Sequence, residues 1–261
     1  MKASLAACAA KLDRAMEHIE ALRAEQRTYL ESSPLQIASQ FDAETGWWRF
    51  IASCEQISLR YSNIVGDCVH NLRSTLDQLV SQLVVANGGR PSSSHQFPIT
   101  RDAENFLRQA KHRLKGVSDE HRAIIEEAQP YDARDDGSER PQALVVLNDL
   151  SNRDKHRLIN AVVLVAGAEH PWSINFGSNA DAGPIGEIKM REGRWHRDGE
   201  ELARVHITPV GPNPEVSVMR GRVPAEIVFV DWGLPVIPTL FGTARQVARI
   251  LDHVEATLSS A

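Results

Sequence analysis

Near residue 157 the spacing of apolar residues changes character, and this switch restricts the fold more than any other feature of the sequence. Before it, apolar positions return every three or four residues, the period of a helix with one buried face. After it they fall into short blocks rich in Val and Ile: Leu158 to Val165, Trp172 to Phe176, Glu187 to Arg191, Arg204 to Thr208, Val216 to Arg220 and Glu226 to Val230. Glu192-Gly193 and Asp198-Gly199 punctuate these blocks as turns, which predicts an antiparallel sheet. Helical spacing returns in Ile237 to Leu258, with Leu240, Ala244, Val247, Leu251, Val254 and Leu258 on one face. The order predicts an α+β fold: an N-terminal helical bundle with a β-hairpin, an antiparallel β-sheet, and a C-terminal amphipathic helix. The expected division is a mainly helical part, 1–157, and a β part with the last helix, 158–261, the two packing together.

Within the helical part, Leu5, Cys8, Leu12, Met16, Ile19, Leu22 and Tyr29 predict a long first helix that ends at Ser32-Ser33-Pro34. Aromatic and β-branched residues flank Asp42-Ala43-Glu44-Thr45-Gly46, the turn of a hairpin between Leu35 and Cys54. A second helix is expected from about Leu59 to Ala86, stopped by Asn87-Gly88-Gly89. A third is expected near Arg101 to Lys115 with Thr100 as N-cap, and a fourth near Asp119 to Ala128. Asp132 to Arg140 reads as a polar loop, and Pro141 as the first turn of a helix reaching Arg157.

The second helix carries the densest chemistry. Val65, Cys68, Val69, Leu72, Leu76, Leu79 and Leu83 share an apolar face. His70, Arg73 and Asp77 lie on one flank of it at spacing i, i+3, i+7, with Gly66 one turn earlier; Asn71, Gln78 and Gln82 lie on the other. Imidazole, guanidinium and carboxylate beside a core are able to hold an anion and move a proton. An ordinary Arg73–Asp77 helix ion pair explains the same residues without chemistry.

A second concentration, Ser151-Asn152-Arg153-Asp154-Lys155-His156-Arg157, stands at the expected helix-to-strand junction, where binding groups commonly sit. Its plain alternative is a solvated charged turn. The candidate catalytic residues are His70, Arg73, Asp77 and His156; the candidate ligand-binding residues are Asn71, Asn152, Asp154, Lys155 and Arg157. Arg108, Lys111, His112 and Lys115 form a modest basic edge that reads as an exposed helix face. Gly-rich phosphate loops, GxSxG elbows and HExxH spacings are absent, and neither a metal nor a cofactor is expected.

A net charge of −5 over 261 residues gives no global attraction to nucleic acid, so contact with RNA or DNA would need a local basic patch. Cys8, Cys54 and Cys68 form no CxxC pair and fit free thiols in a reducing compartment, hence a cytoplasmic location. Leu5-Ala6-Ala7-Cys8 has the form of a lipoprotein cleavage box but lacks a preceding apolar core, so no signal is expected. No apolar run reaches the roughly 20 residues that span a bilayer.

Gly66-Asp67-Cys68-Val69-His70-Asn71-Leu72-Arg73-Ser74-Thr75-Leu76-Asp77-Gln78-Leu79 resembles the signature helix of a widespread group of bacterial proteins, "GD-hNLRSALDHL". The group's "FPI", "QPY" and "DKHR" segments stand here in order as Phe97-Pro98-Ile99, Gln129-Pro130-Tyr131 and Asp154-Lys155-His156-Arg157. The helix is also similar to the R-x4–6-H motif of HEPN domains, all-helical modules that are often dimeric ribonucleases in bacterial defence and toxin systems. This likeness implies a HEPN-like core at about 59–157, RNA or a nucleotide as partner, and a homodimer. Arg73 would be the motif arginine. Gln78 stands at the histidine position and cannot transfer protons near neutral pH, so that role would pass to His70 or His156, with Asp77 orienting one of them and Arg157 joining Arg73 on phosphate. The competing expectation is a non-catalytic interaction protein in which these residues form a buried polar network.

Overall fold

A computed structural model describes residues 3–32, 34–131, 142–154, 161–166, 173–192, 195–222 and 225–260. The chain is mixed α+β, with an N-terminal helix, antiparallel sheets and a C-terminal helix. Its contacts divide it into two compact units: residues 1–24, 59–159 and 236–261, and residues 25–58 and 160–235. One cut between the units, after residue 159, lies two residues from the expected boundary, but neither unit is a single stretch of sequence. Strand pairing draws the N-terminal hairpin into the β unit, and packing draws the last helix into the helical unit.

The helical unit is organised on α2 (Leu59–Ala86). Every residue of the expected apolar face, from Val65 to Leu83, is fully buried. Tyr61, Asn71, Thr75, Val80 and Val84 are buried as well, so α2 is covered on more than one side. Fully burying each Leu or Val contributes about 1.5–3 kcal/mol, which makes this helix the core of the unit. It packs against α5 (Ala143–Asp154) and α6 (Val236–Ser260), and α6 also meets α4 (Asp119–Glu127). The end of α2 is a Schellman turn: Gly88, at φ 76°, donates to Val85 O and Gly89 to Val84 O.

The helix α3 (Ala103–Arg113) starts two residues later than expected. Asp102, not Thr100, is its N-cap, with Oδ1 accepting from Asn105 N at 2.7 Å. Thr100 is instead buried and bonded to Gln129, as described below. Ser118 caps α4. The expected loop 132–140, Pro141, and the expected continuation of α5 to Arg157 lie outside the described residues.

In the β unit, β1 (Leu35–Asp42) and β2 (Trp47–Cys54) form the expected hairpin. The first sheet has the order β1-β2-β7-β5, with β7 at Glu201–Ile207 and β5 at Ile185–Met190. The second has the order β10-β9-β3-β6, from Leu234–Pro235, Ala225–Phe229, Ala161–Ala166 and Trp195–His196. A separate pair joins β4 (Ser173–Ser178) to β8 (Val216–Arg222). Among the described residues every strand pairing is antiparallel. Trp48, Phe50, Val205 and Ile207 point to one face of the first sheet and build a core with Ala182 and Val216. The helix α1 (Ala6–Glu31) buries Cys8, Ala15, Ile19 and Leu22; the division between the units falls within it, after Ala24.

Candidate functional site

The polar flank of α2 divides into two places. At the first, Arg73 and Asp77 close on a single peptide residue. Arg73 Nη2 donates to Phe97 O at 2.6 Å, and Phe97 N donates to Asp77 Oδ1 at 2.9 Å. Nη2 and Oδ1 are themselves 3.1 Å apart. Both polar groups of the Phe97 backbone are thus satisfied by α2 side chains one helical turn apart, much as a neighbouring strand would satisfy them. Phe97 itself is fully buried.

The following residues are held in the same manner from the other side. Gln129, 1% exposed, sends Nε2 to Pro98 O and Ile125 O, both at 2.9 Å, and its Oε1 accepts from Thr100 N at 3.0 Å. An extended segment with no strand partner needs such side chains, because buried backbone groups left unpaired are costly. Phe97-Pro98-Ile99 and Gln129-Pro130-Tyr131 are therefore two halves of one arrangement, joined to α2 through Arg73 and Asp77.

Burial lowers the Arg73 pKa; Asp77 opposes that shift and the nearby charge of Arg113 reinforces it. The guanidinium stays protonated all the same. Its Nη1 is buried without a hydrogen-bond partner.

The second place lies nearer the start of α2. A methyl group built on Gly66 would stand 2.5 Å from Asp154 Oδ1, so the end of α5 meets α2 at Gly66. His70, one turn farther along, is exposed, with Nε2 3.4 Å from Ser74 Oγ. At 1.5 Å per residue, Gly66 is about 6 Å along the axis from His70 but about 16 Å from Asp77. Asp154 accordingly meets α2 at Gly66, one turn short of His70 and farther still from the Arg73–Asp77 pair.

The remaining candidates are placed as follows. Asn71 is buried, and its Nδ2 donates to Asp67 O at 2.8 Å on its own helix. Asn152 and Asp154 are exposed at the end of α5. Lys155, His156 and Arg157 lie outside the described residues. Among the described residues no group of three or more His, Cys, Asp or Glu side chains is placed to hold a metal ion. Burial pushes the Cys8 thiol up to about 11 and the Cys68 thiol to about 12, so neither is a ready nucleophile at neutral pH. A groove of about 180 Å³ runs between α4 and α6 past Glu127, Arg249 and His253, and none of the expected residues lines it.

In the sequence Gln129 and Phe97 stand only as motif letters, with no evident task. Their task is visible only once the segment 97–100 is seen to lack a strand neighbour. Comparison of the chain with protein-family models, curated proteins and solved structures gives no match.

Proposed function

We propose that this chain is a non-catalytic interaction protein whose Arg73, Asp77 and Gln129 build and stiffen the helical unit. The observation that carries this reading is the pair of hydrogen bonds between α2 side chains and the Phe97 backbone. Arg73 Nη1, though unpartnered, is buried, so a phosphate would have to take Nη2 from a buried carbonyl, and a proton donor such as an imidazole N–H would have to take Asp77 Oδ1 from a peptide N–H. Each replacement strands a buried group at a cost of about 1–3 kcal/mol. A cytoplasmic setting accords with the three free thiols, and no helix among the described residues is long and apolar enough to cross a membrane.

A second reading is favoured by the meeting of Asp154 with Gly66 one turn before exposed His70. Here the chain is a HEPN-like binder of RNA or a nucleotide, possessing a degenerate ribonuclease motif and working as a homodimer. His70 and His156 exchange protons, and Arg157 holds phosphate.

One experiment separates the two readings. Arg73→Ala, which unpairs Phe97 O and Asp77, should lower stability by about 1–3 kcal/mol, read as a lower melting temperature. RNA binding and cleavage should be the same for wild type, Arg73→Ala and His156→Ala, measured below the melting temperature of each. Loss of cleavage in His156→Ala at unchanged stability overturns the first reading and supports the second.

A further inference from the structure

The first sheet of the β unit has one face turned to its core and one turned away. On the core side stand Trp48, Phe50, Val205 and Ile207. Side chains alternate along a strand, so Trp47 and Arg49 occupy the opposite side of β2. The register then fixes their neighbours. Arg49 pairs with Arg204 of β7, and Arg204 pairs with Lys189 of β5. Three cations from three adjacent strands therefore stand in one row across the sheet. In the next row, Trp47 pairs with His206.

Like charges set directly opposite each other on neighbouring strands destabilise a sheet. The row persists with partial compensation. Glu201 meets Arg49 Nε at 2.7 Å and comes within 3.9 Å of Arg204 Nε, and Glu187 reaches Lys189 at 3.2 Å. Trp47 supplies the rest: Lys189 Nζ lies 5.0 Å and Arg204 Cζ 5.2 Å from its ring centroid, while the His206 ring meets it edge-on at 5.1 Å. Cations so held still face solvent, for the side chains of Arg49, Arg204 and Lys189 are 49%, 48% and 45% exposed.

We infer that this face binds single-stranded nucleic acid: backbone phosphates engage Arg49, Arg204 and Lys189, and an unpaired base stacks on Trp47 where Lys189 or Arg204 now lies over the ring. An aligned row of exposed cations beside an indole matches the two groups that every nucleotide offers, an anion and a flat π-face. A duplex withholds its base faces, and an acidic peptide has no use for the indole. The chain's net negative charge makes the row a local feature, as contact with nucleic acid requires here. The inference concerns the β unit and does not rest on the function proposed for the residues of α2.

The test is fluorescence anisotropy of the full chain with labelled oligouridylate and oligothymidylate of about twelve nucleotides, within the site size of such surfaces. A duplex of equal length, polyphosphate and polyglutamate serve as comparison probes. Both single strands should bind. Between about 50 and 200 mM salt, log affinity should fall against log salt with a slope of about −2, as expected for three neutralised phosphates. Lys189→Glu, at an exposed position, should weaken both oligonucleotides and flatten that slope. Trp47→Leu should weaken them about five- to a hundredfold with the slope unchanged, and Trp47→Phe should fall between it and wild type. Absence of binding at low salt overturns the inference, and so does wild-type affinity in folded Lys189→Glu. Equal binding of polyphosphate, polyglutamate or duplex also overturns it, because the face would then be an unselective anion exchanger.

Discussion

Arg73 has the residue type and spacing of a phosphate ligand, yet in the fold its Nη2 holds a carbonyl. Residue type and helical spacing state what a side chain is able to bind and which flank it occupies. They do not state what backbone will arrive there from 24 residues away. His121 shows the same limit. In sequence it belongs to a mixed-charge helix; in the structure it is buried, with Nδ1 2.8 Å from Ser118 Oγ and Nε2 unpartnered. Burial lowers its pKa below the ordinary 6.5, against a smaller opposing pull from Glu120. The native state therefore resists a proton that the unfolded chain accepts. Its contribution to stability should be whole above about pH 6.5 and decline as pH falls toward the lowered native pKa. Thermal melts of wild type and His121→Gln between pH 8 and 5 should show the wild type losing more stability over the acid half. Parallel curves for the two proteins would refute this assignment.

Among elements, those ruled by local periodicity were legible. The bounds of α2 follow from its apolar spacing and its Asn-Gly-Gly stop, and the β1–β2 hairpin follows from its turn. What was not legible are the elements defined by partners. The two-residue strands Trp195–His196 and Leu234–Pro235 have no pattern of their own and exist through pairing with β3 and β9. Thr is a good cap, so the sequence predicts a helix from about Arg101 capped by Thr100, but Asp102 accepts from Asn105 N and leaves Thr100 to bond Gln129. The segment 97–100 is the furthest case, since it is regular only through the side chains that hold it. Gln129→Leu keeps the volume roughly constant and removes the Gln129 bonds to Pro98, Thr100 and Ile125, while the Arg73 and Asp77 bonds to Phe97 remain. It should leave Pro98 O and Thr100 N unpaired and cost about 2–4 kcal/mol, more than a surface substitution. Urea unfolding at 25 °C measures this as a lower midpoint with unchanged slope. A change within about 0.5 kcal/mol would show that the Gln129 bonds do not hold the segment.

At the scale of the whole chain, the change of apolar spacing near residue 157 lies close to one cut between the units, after residue 159, but does not show that the hairpin belongs with the later strands and α6 with the earlier helices. Periodicity reports what an element is, whereas membership in a unit depends on contacts across long stretches of sequence. Strand β2 joins β7, pairing Arg49 with Arg204, and α6 joins α2 and α5. The row Arg49–Arg204–Lys189 was unreadable for the same reason, because it exists only in the register between strands far apart in the chain. The linear division and the observed one differ in a testable consequence. If residues 1–157 were self-sufficient, a fragment 1–159 would fold. In the structure that fragment retains α1 to α5 but lacks α6, whose Val236, Leu240, Ala244, Val247, Ile250, Leu251 and Val254 are all buried. Losing seven such side chains removes on the order of 10 kcal/mol of apolar burial, comparable to the whole stability of a typical domain. Its hairpin also loses β7 and is left as two strands, marginal by themselves. The fragment 1–159 should therefore show helical circular dichroism without a cooperative melt, and should bind a hydrophobic dye that the full chain does not. Adding a peptide of residues 236–260 should restore part of the cooperativity, because α6 supplies the missing face. A sharp melt of 1–159 alone would mean that α6 is an accessory and that the boundary near 157 is the true one.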